Sequence, residues 1–327
     1  IQRYRFCRQG EIKSHYFCAA RNGIRAFIVR SMWVVWVLLS AFFLGYYDVL
    51  KKQALHHNPV LPVLFYSTVF GALFCVPVLV LSRLFPDCAG QVWFVPRVDL
   101  TTHGYLFLKS VLVASSWILS YYAMKYLPIT VETSVKSTGP VWTVLGAVLF
   151  MGERLNLWQW AGMAVSLVFF WLFSQASGSE GISFKKNRWV LCLMGGTLLG
   201  ALSGLYDKFL TQRFDHMAIL VYYSIYLVPV LLPFLMGLWY FASGRRPFMF
   251  RGSIVFIGIA LVLSDFLYFY ALSDSNALIS VVTALRRASV LVPFAAGVLL
   301  FKDKNLWIKG WLLLGMMVGV VVLMVGS

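Results

Sequence analysis

Ile129 to Leu155 reads ITVETSVKSTGPVWTVLGAVLFMGERL. As a helix rising 1.5 Å per residue it would span about 40 Å, enough to cross the roughly 30 Å hydrocarbon core of a bilayer. Yet Lys136 sits inside the run, about 10 Å from its start at that rise. The run then stops on the charged Gly152-Glu153-Arg154. Some 150 residues on, Ala277 to Lys304 repeats the arrangement as ALISVVTALRRASVLVPFAAGVLLFKDK, with Arg286 and Arg287 in the apolar run and Lys302-Asp303-Lys304 at its end. Two apolar segments that each bury cations set the fold class and the search for a site.

The whole chain has the same character. It is 60% hydrophobic and only 12% charged, too few charges for a soluble domain of 327 residues. Apolar runs long enough to cross a bilayer recur throughout, which predicts an all-α integral membrane protein. A β-barrel needs alternating apolar and polar residues, and runs such as 318–325 do not alternate. Ten segments follow: 33–52, 60–82, 103–126, 129–150, 157–174, 189–210, 218–242, 252–272, 277–301 and 306–325. The net charge of +16 sits mostly in the loops and the first 31 residues, where it sets membrane orientation and gives no reason to expect nucleic acid. Residues 1–31 read as a basic extension ahead of Met32, or as a mis-assigned start. From Met32 onward the loop charges alone would place both termini outside, while counting residues 1–31 makes the two sides roughly equal, so orientation stays open. Cys7, Cys18, Cys75, Cys88 and Cys192 have neither metal-ligand nor CxxC spacing, so no metal or cofactor is expected.

The two halves resemble each other. Gly45-Tyr46-Tyr47-Asp48 matches Gly204-Leu205-Tyr206-Asp207, Tyr122-Ala123 matches Tyr270-Ala271, and Asn156-Leu157-Trp158 matches Asn305-Leu306-Trp307. This is an internal repeat. It gives a first five-helix unit over 32–175, a linker over 176–188, and a second unit over 189–327. Five is odd, so the second unit must be inverted, as in many secondary transporters.

On these features the sequence resembles the drug/metabolite transporter superfamily, in its branch of ten-helix proteins with two EamA-type repeats. The resemblance covers about residues 32–327 and includes Gly152-Glu153-Arg154-Leu155 at the end of the fourth helix. The second half departs from it at Lys302-Asp303-Lys304. The resemblance implies a secondary transporter and no enzyme, and the sequence contains neither HExxH nor GxSxG. In the phosphorylated-sugar translocators of this superfamily, a Lys in the fourth helix and a basic pair in the ninth hold the substrate phosphate. Lys136, Arg286 and Arg287 match those positions. The first helix reads Leu38-Leu39-Ser40-Ala41-Phe42 at its centre, without the acid that the small multidrug branch uses on cationic drugs.

Charge inside a membrane marks either a pathway or a structural pair. The residues expected to bind substrate are Lys136, Arg286, Arg287 and Tyr270, with Lys136 and Arg286 converging on one midplane cavity. Glu132, four residues before Lys136, and Asp265 are expected to balance charge or to carry a coupling proton. Asp48 and Asp207 read as ion pairs near helix ends. Lys109 reads as able to snorkel to the interface. Gly139-Pro140 and Pro293 would loosen the helices that carry the cations. The expected activity is secondary transport of a small, more often anionic, organic metabolite, with a bacterial inner membrane as its location. Export of amino acids or amphipathic drugs, or a non-transporting sensor or scaffold, are the alternatives. A coupling proton or counter-substrate and a homodimeric partner stay open.

Overall fold

A computed structural model describes residues 32–88, 91–151, 156–178, 187–241, 247–272, 285–300 and 306–325. The basic segment 1–31, the Gly152-Glu153-Arg154 motif, residues 179–186 of the linker and Lys302-Asp303-Lys304 lie outside the described residues.

Helix dominates, and the described residues contain no strand. In chain order the helices are α1 (Met32–Leu55), α2 (Val60–Leu84), α3 (Leu100–Tyr126), α4 (Ile129–Ser137), α5 (Gly139–Met151), α6 (Leu157–Gly178), α7 (Arg188–Thr211), α8 (His216–Leu235), α9 (Gly252–Leu272), α10 (Leu291–Leu299) and α11 (Leu306–Val325). Six of them, α1, α2, α3, α7, α8 and α9, are long and apolar enough to cross a membrane. Shorter apolar stretches lie at Trp160–Phe173, Ala288–Gly297 and Trp307–Val322.

Local chemistry sets many of the boundaries. Pro59 and Pro128 stand in extended backbone immediately before α2 and α4, where a missing N–H costs nothing. Asn187 accepts from the Trp189 amide at the start of α7, and Asp215 accepts from Met217 and Ala218 at the start of α8. Each satisfies donors that a helix start leaves open. Between α4 and α5 the ladder breaks. Pro140 has no N–H to return to the Lys136 carbonyl, and Thr138 and Val141 instead bond three residues back, to Val135 and Thr138, at 3.1 and 3.0 Å. The segment bearing Arg286 is also irregular. A 3₁₀ turn, Arg287–Val290, precedes α10, which carries Pro293.

Small residues bring the helices together, as expected where lipid removes the hydrophobic drive between helices. α1 lies along α9, α3 along α7 and α6 along α11, while α2 and α8 pack against each other and against α9 and α3. Ser40 of α1 and Ser264 of α9 each donate to the other's carbonyl, at 2.7 and 2.9 Å. At the α2–α9 crossing, a Cβ on Gly258 would come within 2.3 Å of the Ser67 carbonyl oxygen, so only glycine fits there.

The two ends of the bundle are tied differently. At one, Asn58 donates to Ala54 and Met249 carbonyls and accepts from the Met249 amide. Lys125 donates to the Asn58 carbonyl, and Lys52 to the Met124 and Leu127 carbonyls. We call this the Asn58 end. At the other, Arg83 donates to the Val95 carbonyl at 2.8 Å and to the Tyr222 hydroxyl at 2.5 Å. We call this the Arg83 end.

Candidate functional site

Lys136 closes the last turn of α4, just before the break at Thr138. Its ammonium nitrogen lies 2.5 Å from the Glu132 carboxylate one turn earlier and 3.1 Å from Asp48 on α1. Lys51 completes the group, 2.7 Å from Asp48 and 3.7 Å from Glu132. It also sits over the rings of Tyr47 and Tyr121, whose hydroxyls are 3.3 Å apart. Two ammonium groups and two carboxylates thus neutralise one another within the helices, the arrangement that makes intramembrane charge tolerable.

The four members are not equally accessible. The Glu132 side chain is 0% exposed and that of Lys51 2%, whereas Lys136 keeps 26% and Asp48 13%. A cavity of about 240 Å³ lies against them. Its wall includes Asp48, Lys51 and Lys136 but not Glu132, so among the described residues it meets two cations and one anion. Tyr47, Trp117 and Tyr121 give it aromatic faces, Ser116, Ser120, Thr197 and Ser289 give hydroxyls, and Gly139, Gly196 and Gly200 leave room. α1, α3, α4, α5, α7, α9 and the 3₁₀ turn all contribute to the wall. A second cavity of about 250 Å³, between α2, α8 and α9, is lined by residues such as Phe74, Val78, Trp93, Leu220 and Phe266, and among the described residues it has no charged group.

Arg286 is held elsewhere. It forms an ion pair with Asp265, donates to the Ser264 hydroxyl at 3.3 Å and lies over the Tyr268 ring. Tyr223 donates to the other Asp265 oxygen at 2.8 Å. Its ring carries Lys109 on one face, and Lys109 pairs with Asp207. This second cluster lies towards the Arg83 end, where α8 begins and α7 ends.

The expected meeting of Lys136 and Arg286 at one cavity is therefore corrected. Each cation is held by carboxylates of its own end, and Arg286 is not among the described lining of the Lys136 cavity. Glu132 and Asp265 do neutralise Lys136 and Arg286. The Arg287 side chain lies outside what is described. Tyr270 is packed edge-on against Trp36, with ring centroids 5.5 Å apart, and stacks with Phe266. Lys109 does not snorkel. It is buried, with Asp207 as its partner.

Sequence reasoning gave Asp48 an interfacial ion pair or helix-end contact near Lys51, and placed neither residue in the binding site. The available signal was the match between Gly45-Tyr46-Tyr47-Asp48 and Gly204-Leu205-Tyr206-Asp207, which sets the two aspartates at matching positions of the sequence.

Residues 31–175 match the model of the EamA-like transporter family. That family belongs to the drug/metabolite transporter superfamily, and the match spans 145 residues from position 31 of the 327 in the chain. Together with the six long apolar helices, the match supports an integral membrane protein. A search of curated proteins found no match. Among solved structures, one crystal structure is similar with a TM-score of 0.53 at 14% identity, over 86% of this chain and 96% of its own. At that identity the likeness speaks for a shared fold and nothing more.

The EamA match covers α1 to α5 and most of α6, and so includes Asp48, Lys51, Glu132 and Lys136. All four charges of the cavity cluster therefore come from the matched half, while the cavity wall is completed by α7, α9 and the 3₁₀ turn of the other half.

Proposed function

We propose that this EamA-type protein is a ten-crossing secondary transporter, built from inverted repeats over 32–175 and 189–327, that carries a small organic anion by alternating access. The observation that carries this reading is the Lys136 ammonium group. It borders the cavity beside a helix break, while its main counter-ion, Glu132, is sealed behind it. An incoming carboxylate or phosphate can take the place of Asp48 at Lys136 without stripping the lysine of its buried partner. The serine and threonine hydroxyls then bind polar groups on the rest of the substrate.

The packing supports the repeat. If α4–α5 count as one crossing and the 3₁₀ turn with α10 as another, exchanging the halves maps α1 on α9 to α7 on α3, and α2 on α9 to α8 on α3. It maps α2 on α8 and α6 on α11 onto themselves. In this scheme Arg286 and Arg287 are the second repeat's counterparts of Lys136. Glu132 and Asp265 balance charge, and either can take a coupling proton where no counter-substrate is exchanged. Tyr270 belongs to the aromatic packing beside the second cluster. A bacterial inner membrane is the location this reading favours.

A second reading has one observation in its favour. Asp48 and Lys136 face the same cavity, which is what a zwitterionic amino acid would need. Purified protein in liposomes, tested for counterflow with carboxylates, phosphorylated metabolites, amino acids and organic cations, separates the two. Flux of an anion class that falls at least tenfold in Lys136→Ala, with the protein still folded, is the expected result. Flux unchanged in Lys136→Ala overturns the site. Flux confined to amino acids and lost in both Asp48→Asn and Lys136→Ala favours the second reading.

A further inference from the structure

Next to the Lys136 cavity lies a smaller one of about 20 Å³. The two share Tyr47, Trp117, Tyr121 and Leu261 as a common wall. The small cavity is also lined by Tyr223, which is not among the described residues of the larger one. The Tyr223 hydroxyl donates to Asp265 at 2.8 Å. Tyrosines therefore stand at both ends of a small space, one pair facing the Lys136 cavity and one residue bonded to a carboxylate.

The size and chemistry of that space suit a single water. A buried water needs roughly 10–15 Å³ and two to four polar partners. Ser67 and Thr68 donate to the Leu64 carbonyl, and Ser224 to that of Leu220. All three line the small cavity, and each hydroxyl oxygen keeps lone pairs for a further bond. The Tyr47 and Tyr121 hydroxyls are 3.3 Å apart, and either can be the donor. One O–H serves that bond, which leaves the other to donate onward.

We propose that Tyr47, Tyr121, one water in the small cavity and Tyr223 form a proton relay from the Lys136 cavity to Asp265, which makes Asp265 the acceptor of the coupling proton. The inference rests on the secondary-transport reading above and decides between its two candidate carboxylates. Glu132 is not among the described lining of either cavity. A proton from water in the Lys136 cavity joins one tyrosine hydroxyl, which passes its own proton to the other. The second hydroxyl passes a proton to the water, the water to Tyr223, and Tyr223 to Asp265. Every oxygen on the way gains one proton and loses one, and the Asp265 carboxylate becomes a carboxylic acid. Water chains and side-chain relays of this kind carry protons in enzymes and membrane pumps.

Asp265 is also placed to act on the proton it receives. Among the described residues, the charged and titratable groups around it are Arg286, Tyr223 of α8, Cys75 of α2, and Asp207 of α7 with its partner Lys109 of α3. α1 faces this stretch with the neutral Ser40. Arg286 immediately precedes the 3₁₀ turn Arg287–Val290, and Ser289 and Val290 of that turn wall the Lys136 cavity. Neutralising Asp265 removes the anion that holds Arg286, and a buried charge without its partner is costly. The turn then moves, and one wall of the substrate cavity moves with it.

Infrared difference spectroscopy on the protein in liposomes tests the relay without needing the substrate. After a jump from alkaline to acidic buffer, the carboxylic acid band that is missing in Asp265→Asn reports on Asp265. Tyr223→Phe removes the relay hydroxyl and keeps the ring beneath Lys109. Ala72→Val fills the small cavity from its wall and leaves the bonds of Asp265 in place. Each should slow the appearance of the band at least tenfold while the protein stays folded. A band that appears at the wild-type rate in either folded variant, that changes only in final intensity, or that is never found in the wild type overturns the relay. The anion reading is judged separately by the Lys136→Ala flux, so a failed relay with that flux dependence intact condemns only the relay.

Discussion

Lys136 leans on a carboxylate that the cavity cannot reach, and this division of labour can be tested residue by residue. Glu132→Ala leaves Lys51 and Lys136 sharing Asp48 alone. Breaking a buried pair by removing one partner costs about 3–5 kcal/mol, so a fall of that size in unfolding free energy is expected by denaturant titration in detergent. Lys136→Ala acts differently: its group is partly exposed, so binding should suffer more than folding. A variant pair in which Glu132→Ala spares stability while Lys136→Ala unfolds the protein would reverse these assignments. Some of this was readable in advance. Glu132 and Lys136 are one turn apart, so their pairing follows from helical spacing. Asp48 finds Lys136 from 88 positions away, a distance at which sequence gives no direct cue. α1 also continues to Leu55, beyond the apolar run that ends at residue 52, which draws Asp48 and Lys51 away from the helix terminus.

At the scale of elements, the apolar runs located the helices and the prolines located their faults. The run at 129–150 is two helices because Pro140 cannot return a hydrogen bond to Lys136, and the run at 218–242 leaves α-geometry at Met236, after Pro229 and Pro233. Replacing Pro140 by Ala restores that donor. The expected outcome is thermal stability equal to or above wild type with slower flux, since a continuous helix would bury the Lys136 carbonyl and stiffen the cavity wall. Intact flux would show that the break is incidental. The α2–α9 crossing offers a packing test. Gly258→Ala forces a methyl against the Ser67 backbone, and overpacking of this kind costs about 1–3 kcal/mol. Sequence alone did not reveal that crossing, because nothing local to Gly258 says which helix it will face.

For the molecule as a whole, the proposed repeat rests on matched motifs in the two halves of the sequence. Lys136 and Arg286 are held by different carboxylates, Glu132 with Asp48 for the one and Asp265 for the other, and no local spacing in the sequence shows that Asp48 and Asp265 will be their partners. Inversion has its own test. The loops after the first helix of each half, at 56–58 and 212–215, should lie on opposite sides. Single cysteines at His57 and Arg213 should then be labelled by an impermeant reagent from opposite sides of a vesicle, and labelling from the same side would rule out inversion. The central claim is that the Lys136 cavity binds an organic anion, and ligand-dependent thermal unfolding of the purified protein reaches it most directly. A ligand that binds only the folded state raises the melting temperature by mass action. The account predicts that carboxylated or phosphorylated metabolites raise it in the wild type and fail to do so in Lys136→Ala. Stabilisation by cations or neutral amphiphiles that persists in Lys136→Ala would contradict it and leave the charge cluster a structural feature.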